Sequence, residues 1–467
     1  MYPAGTEIVY STWTPRATRI PWATEYVWFG LSPVIRRTIF ERFNRTFFEA
    51  PRAEVVADYT RIVKACLGDQ APETAHIEAL HEIGYLPLRI RALPEGTIVP
   101  LRTPVATFEN TDKRFPWLTN YLETIISLEL WKPSTSATIA REYRKLFERY
   151  AAETGADASF CQFQGHDFSM RGMDSLDGAI ASGLGHLTSF VGTDTIPAIQ
   201  GAEYYYGANV EKELVGCSVP ASEHSVECAF GDDEAYIKHL ITSVHPTGIV
   251  SCVSDGYDFF RVLTETLPKL KRTIMARDGK LVIRPDSGDP VKIVCGDPES
   301  SDEAVRKGAV QLLWETFGGT ETIKGFRCLD SHIGLIYGDA ITYERADEIL
   351  KRLASKGFAS SNIVFGIGSF TYAYNTRDTF GHALKSTLVV INGEEKQIFK
   401  APKTDDGTKY SQRGRVAVRR GSDGALFWTD GHRLDEHVAG NLLEDVFRDG
   451  TVLRFEKWSD VKARVAL

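Results

Sequence analysis

Leu281-Val282-Ile283-Arg284-Pro285-Asp286-Ser287-Gly288 decides how this chain folds. A run as short and apolar as 281–283 reads as a buried parallel strand, and the polar tip that follows it lies where such sheets bind ligands. The tip offers a guanidinium for phosphate oxygens, a carboxylate, a hydroxyl, and a glycine that lets backbone N–H groups approach an anion. Taken alone, it serves equally well as an Arg–Asp ion pair closing a strand.

Three further apolar runs end the same way. Residues 249–253 lead to Ser254-Asp255, 333–337 to Gly338-Asp339, and 363–365 to Gly366-Ile367-Gly368-Ser369. Helical patterns over 257–270 and 343–353 lie between them. This alternation predicts an α/β fold: an irregular (β/α) barrel-like core of parallel strands over 161–384, with the tips on one face. Residues 1–160 mix helices, over 59–67 and 140–152, with strands and turns over 92–110. After 385 the texture is strand-rich: 386–391, the turn Asn392-Gly393 and 396–399 form a hairpin, then 415–419 and 425–428 follow. The N-terminal α+β part (1–160) and the C-terminal β-rich part (385–467) are expected to join as a second, discontinuous α+β domain.

A chain of 467 residues can bury a large core. Its 25% charged and 43% hydrophobic residues are ordinary for a globular protein. A net charge of −8 provides no overall attraction for nucleic acid or an anionic membrane, so an anionic substrate needs a local basic pocket. Seven scattered cysteines with no CxxC pair argue against a disulfide framework or zinc site, and for a reducing cytoplasm. No signal peptide and no membrane span are expected.

The same region carries His166-Asp167-Phe168-Ser169-Met170-Arg171-Gly172, Gly192-Thr193-Asp194 and Ser218-Val219-Pro220-Ala221-Ser222-Glu223-His224-Ser225. The histidines lack metal-ligand spacing, and neither a Gly-x-Ser-x-Gly elbow nor a Walker phosphate loop is present. Arginines beside glycines, with isolated carboxylates, suit an anionic sugar phosphate.

These motifs, with Ser254-Asp255-x-Tyr257-Asp258, Ile283 to Gly288 and Gly338-Asp339, occur in order and together resemble the nicotinamide phosphoribosyltransferases of the type II phosphoribosyltransferase family. Val9-Tyr10-Ser11 with Arg16, Pro94-Glu95-Gly96, Glu109-Asn110-Thr111-Asp112 and Trp117-Leu118-Thr119-Asn120 extend the resemblance over nearly the whole chain. It implies condensation of nicotinamide with 5-phosphoribosyl 1-pyrophosphate (PRPP) to nicotinamide mononucleotide and pyrophosphate, a step of NAD salvage. Mg²⁺ travels with the pyrophosphate rather than on protein ligands, and ATP couples through a phosphohistidine.

The resemblance also implies roles. Arg284 contacts the ribosyl and phosphate groups, with Arg16, Arg377, Lys385, Lys400 and Lys409 as further phosphate contacts. Lys409, in a polar loop, reads equally as a solvated charge. Asp286 and Asp339 take the ribose side, although an aspartate after a strand is also a common helix N-cap. Gly338, Gly368 and Ser369 cradle the 5′-phosphate; the family runs more glycines where Ser369 stands. Phe168 stacks on the pyridine, with Arg171 and Ser251 beside it. Asp194 selects the base, because a carboxylate accepts from a carboxamide and repels nicotinate. His224 is the phosphorylatable histidine, oriented by Asp255.

Two departures stand out. Family members carry a Tyr-Lys-x-x-His segment ahead of the match to Tyr2-Pro3. Its tyrosine closes the base pocket of the partner in a homodimer, and this sequence begins at Met1, which points first to a start site assigned too late, ahead of a shortened chain or a variant that binds the base differently. Phe163-Gln164 replaces a frequent Tyr-Lys. The expected alternatives are a nicotinate phosphoribosyltransferase, disfavoured by Asp194, and a catalytically impaired binder of phosphoribosyl ligands.

Overall fold

The four apolar runs form strands of one curled six-stranded parallel sheet whose edges are bridged into a ring. In this computed structural model the described residues are 2–401, 403–404 and 410–466. Six strands, β1 (Gly165–Asp167), β2 (Gly192–Thr193), β3 (Thr247–Val253), β4 (Asp278–Arg284), β5 (Ile333–Tyr337) and β6 (Val364–Ile367), lie in the order β2-β1-β6-β5-β4-β3. Every neighbouring pair is parallel. The two edges meet through one segment, 217–222. Its Cys217 exchanges backbone hydrogen bonds with the β2 side (Thr193 N to Cys217 O, 2.9 Å; Cys217 N to Val191 O, 2.7 Å). Its other end bonds to β3 (Ser251 N to Pro220 O, 2.8 Å; Ser222 N to Ser251 O, 3.0 Å).

Side chains alternate along each strand. In β4, Leu281 and Ile283 are fully buried, while Lys280, Val282 and Arg284 line a cavity within the ring. The helices follow the apolar spacing. Helix Tyr343–Ser355 buries Ala346, Ile349, Leu350 and Leu353 on one face, and the Thr342 side chain caps it. Helix Leu267–Met275 buries Leu267, Leu270 and Ile274.

The chain divides into two compact units. The first runs to Thr138 and adds Gly201–Ala208 and Asn375–Ala466; the second comprises Ile139–Gln200 and Asn209–Tyr374. These divisions differ from the 160/161 and 384/385 boundaries read from sequence. The first falls inside the continuous helix Leu118–Thr154, which the sequence shows only over 140–152. Pro133 interrupts the sequence signal but not the helix. It packs on Gly30, and the next residue, Ser134, exchanges hydrogen bonds with the Phe29 backbone (2.6 and 2.9 Å). Residues 201–208 count with the first unit because the buried Tyr206 donates to Glu95 (2.8 Å) and stacks on Phe29.

The first unit is built on a seven-stranded sheet in which the N-terminal strand Thr6–Thr14 pairs antiparallel with Ala383–Ile391 and with Ala106–Asn110. The hairpin through Asn392-Gly393 pairs Ala383–Ile391 with Glu394–Gln397. Leu88–Ala92 shows the alternation cleanly: Leu88, Ile90 and Ala92 are buried, while Arg89 and Arg91 point out and share Asp445. Among the described residues no helix is long and apolar enough to cross a membrane.

Candidate active site

A parallel strand ends by presenting its last side chains at one rim, and this rim collects the sequence motifs. β1 leads to Phe168, β2 to Asp194, β3 to Asp255, β4 to Arg284 and Asp286, β5 to Gly338 and Asp339, and β6 to Gly368 and Ser369. Two cavities lie against these residues in the second unit. The larger, about 330 Å³, is mostly apolar, with Phe163, Ile249, Val282, Leu335 and Ile336 in its wall. The smaller, about 240 Å³, is polar and lined by Asp167, Arg171, Thr195, Asp286 and Gly338 among others. Phe168, Asp194 and Arg284 line both, so the two spaces meet at these three side chains.

Asp194 is held from two sides. His166 Nε2 lies 2.9 Å from its Oδ1, and Ser218 Oγ donates to the same oxygen at 2.6 Å. Burial pushes its pKa up, but these hydrogen bonds and the charge of Arg284 outweigh it, and the carboxyl sits below the ordinary carboxylate range. It is therefore an anion at neutral pH. Ser251 Oγ, buried in the wall of the larger cavity, has no hydrogen-bond partner among the described residues. Phe168 is half-buried, with its ring 4.9 Å from that of His166. It lies so close to β6 that a Cβ on Gly366 would stand 2.5 Å from its Cδ2.

At the other side of Arg284, Asp255 organises the β4 tip. Its side chain is 2% exposed. Oδ1 lies 2.9 Å from His224 Nε2, while Oδ2 accepts from Asp286 N (2.9 Å) and Ser287 Oγ (2.6 Å). Burial raises its pKa and these hydrogen bonds lower it further, so the carboxyl titrates below its usual range. Since Asp255 only accepts, Nε2 of His224 carries the proton and Nδ1 has the free lone pair. Arg284 donates to Ser222 O (2.9 Å) and lies 3.5 Å from Asp286 Oδ2. Arg284 Nε and Asp286 Oδ1 are buried without hydrogen-bond partners. Burial raises the Asp286 pKa, against the opposing charge of Arg284. A Cβ on Gly338 would stand 2.3 Å from Asp286 Oδ1, so only glycine admits this carboxylate.

The rim thus gathers Phe168, Arg171, Asp194, His224, Ser251, Asp255, Arg284, Asp286, Gly338, Asp339, Gly368 and Ser369 in one unit. Arg171 and Asp339 are exposed. Arg16, Arg377, Lys385 and Lys400 belong to the first unit. There Arg16 donates to Gly381 O (2.9 Å), Arg377 pairs with Asp378 (3.0 Å) and Lys385 with Glu123 (3.0 Å). Lys409 lies outside the described residues. His166, Ser218, Ser222 and Ser287 lie within the same motifs, and the structure adds them to the site through their contacts with Asp194, Arg284 and Asp255. Their roles emerge only when strands distant in sequence are placed side by side.

Fold and rim define an α/β barrel whose candidate site lies at the carboxyl ends of its parallel strands. Residues 163–451 match the family model described as nicotinate phosphoribosyltransferase (NAPRTase) family. The chain is 49% identical to "Nicotinamide phosphoribosyltransferase" of Acinetobacter baylyi, covering 100% of this chain and 94% of that protein. It is 36% identical to "Nicotinamide phosphoribosyltransferase" of Mycoplasma pneumoniae, covering 89% and 92%. The fold is also that of human nicotinic acid phosphoribosyltransferase (TM-score 0.59, 15% identity, 99% of this chain and 89% of that one). The chain belongs to the nicotinate phosphoribosyltransferase family.

Proposed function

We propose that this chain joins nicotinamide to PRPP, giving nicotinamide mononucleotide and pyrophosphate in NAD salvage. The observation that carries this reading is the meeting of an apolar cavity with a polar one at Phe168, Asp194 and Arg284. The pyridine enters the first and the phosphoribosyl group the second, so the ring nitrogen and the ribose carbon meet between them. The new N–C bond forms from the nitrogen lone pair as the C–O bond to pyrophosphate breaks, and its electron pair leaves with the pyrophosphate.

Each group has a task in that step. Asp194 accepts from the carboxamide NH₂, and Ser251 Oγ donates to the carboxamide oxygen. The anionic Asp194 repels nicotinate, which sets this reading above the nicotinate alternative. Arg284 stabilises the departing phosphates, worth about 3–4 kcal/mol for a well-placed donor. Asp286 lies beside the electron-poor ribose. Mg²⁺ would be carried by the pyrophosphate oxygens and, when bound, would neutralise charge on the leaving group. Arg16, Arg377, Lys385, Lys400 and Lys409 are proposed as further phosphate contacts, with Asp339, Gly368 and Ser369 on the ribose-phosphate side and Arg171 beside the base.

ATP stimulation follows from the His224–Asp255 pair. Nδ1 attacks the γ-phosphorus, the N–P bond forms, and the P–O bond to ADP breaks. Asp255 holds the Nε2 proton and stabilises the charge on the ring. The protein is proposed to act as a cytoplasmic homodimer whose partner closes the second face of the base, which gel filtration with light scattering tests.

The deciding experiment is a product assay with PRPP, Mg²⁺ and either base, with and without ATP. Nicotinamide mononucleotide is expected from nicotinamide at a rate well above nicotinate turnover. Equal use of both bases would remove the role given to Asp194, and absence of product from either would remove the proposal.

A further inference from the structure

Glu227 stands three residues after His224, in the helix His224–Phe230, and is 1% exposed. A carboxylate so buried needs a reason, because removing one from water is costly. Its Oε2 accepts from the backbone N–H of Gly256 at 3.0 Å. Gly256 directly follows Asp255. A Cβ at that position would stand 2.6 Å from Oε2, so the close approach depends on glycine. The helix that carries the histidine is thereby tied to the loop that carries its partner.

We propose that Glu227 is a positioning residue for the His224–Asp255 pair, clamping the histidine's helix to the aspartate's loop, and that its charge sets how well His224 retains a phosphoryl group. The second half rests on the phosphohistidine reading above. The charged and titratable groups around Glu227 come from every neighbouring element. They are His224 on its own helix, Asp233 and Tyr236 from helix Asp233–His239, Cys252 from β3, and Asp255 and Tyr257 from the loop after it. Asp233 is itself paired with Arg261 at 3.0 Å. Burial first, then Asp233 and Asp255, push the Glu227 pKa up to about 7, against the Gly256 bond and the charge of His224.

The sign follows. Below about pH 7 Glu227 is neutral, and the carboxyl groups that interact with His224 are those of Asp255 and Asp286. Above it a further buried anion, three residues along the histidine's own helix, repels the phosphoryl oxygens that ATP places on Nδ1 as ADP leaves. Retention of the phosphoryl group therefore falls as pH rises through about 7.

The test uses the full chain with ATP labelled on its γ-phosphate, quenched in alkali, between about pH 6 and about pH 8.5. Wild type is expected to lose about threefold or more of its label across that range. Glu227→Gln keeps the acceptor for Gly256 without the charge, and is expected to label with no inflection. Glu227→Ala removes the clamp and is expected to label at least about tenfold less at every pH, with an unchanged circular-dichroism spectrum. Wild-type labelling by Glu227→Ala, or a wild-type inflection in Glu227→Gln, would overturn the proposal. An unlabelled wild type would overturn the phosphohistidine reading and the charge half with it. The clamp is then judged by the NMR signal of the His224 Nε2 proton that bonds Asp255. Glu227→Ala is expected to shift or broaden that signal, and an unchanged signal would overturn the clamp.

Discussion

Two oxygens of one carboxylate do separate work at Asp255. Oδ1 orients His224, and Oδ2 fixes the Asp286 amide and Ser287 hydroxyl at the β4 tip. Asp255→Ala should therefore raise KM for PRPP as well as abolish ATP stimulation, whereas His224→Ala should abolish stimulation and leave KM for PRPP within about twofold in the absence of ATP. Steady-state kinetics on both variants check this. At Asp194 the expected outcome is a change of selectivity. Asp194→Asn keeps an oxygen to accept from nicotinamide and gains an NH₂ that donates to nicotinate. The ratio of kcat/KM for nicotinamide over nicotinate should fall by about 10²-fold or more. These residues were legible because each sits in a motif with its neighbours. What holds them was not: His166 and Ser218 reach Asp194 across 28 and 24 residues of chain, and no local pattern encodes such a meeting.

At the scale of elements, the strands that sequence reading found are those with enough apolar residues to announce themselves. β3, β4, β5 and β6 were read from their runs. β1 and β2, three and two residues long and each beginning with glycine, carry no periodic signal and are strands because their neighbours complete their hydrogen bonds. The helix Leu118–Thr154 was read at a third of its length, because Pro133 and the polar run after it look like a break until Gly30 and Phe29 are seen against them. β6 also constrains the base. Gly366→Ala would drive a methyl group into the Phe168 ring, and the ring would have to leave the junction of the two cavities. The same Cβ would stand 2.8 Å from Gly338 Cα, so the expected outcome in steady-state kinetics is a rise in KM for nicotinamide of about tenfold, one well-oriented aromatic contact, together with a rise in KM for PRPP.

Over the whole molecule, each unit buries a neutral histidine between a carbonyl and a tyrosine hydroxyl. In the first unit His382 Nδ1 lies 3.0 Å from Arg377 O and Nε2 2.9 Å from Tyr26 OH. In the second, His186 Nε2 lies 2.9 Å from Gly192 O and Nδ1 2.8 Å from Tyr372 OH. One nitrogen donates and the other accepts, so a second proton has no place, and burial above all holds both pKa values down at about 4. The unfolded chain binds those protons near its ordinary histidine pKa of 6.5. Between that value and about 4 the unfolded state holds more protons, so stability falls as pH falls through this window, by about 3 kcal/mol per histidine when complete. Thermal unfolding between about pH 7 and about pH 4.5 should show a falling Tm. The slope should be shallower in His382→Gln than in wild type once the lower starting Tm is subtracted.

The segment 217–222 that joins the two edges of the barrel is the same segment that supplies Ser218 to Asp194 and Ser222 O to Arg284, and it leads directly into His224. One seam thus does two things at once: closing the ring and bracing Asp194 and Arg284 are a single structural event, and a barrel opened at 217–222 would lose both braces together.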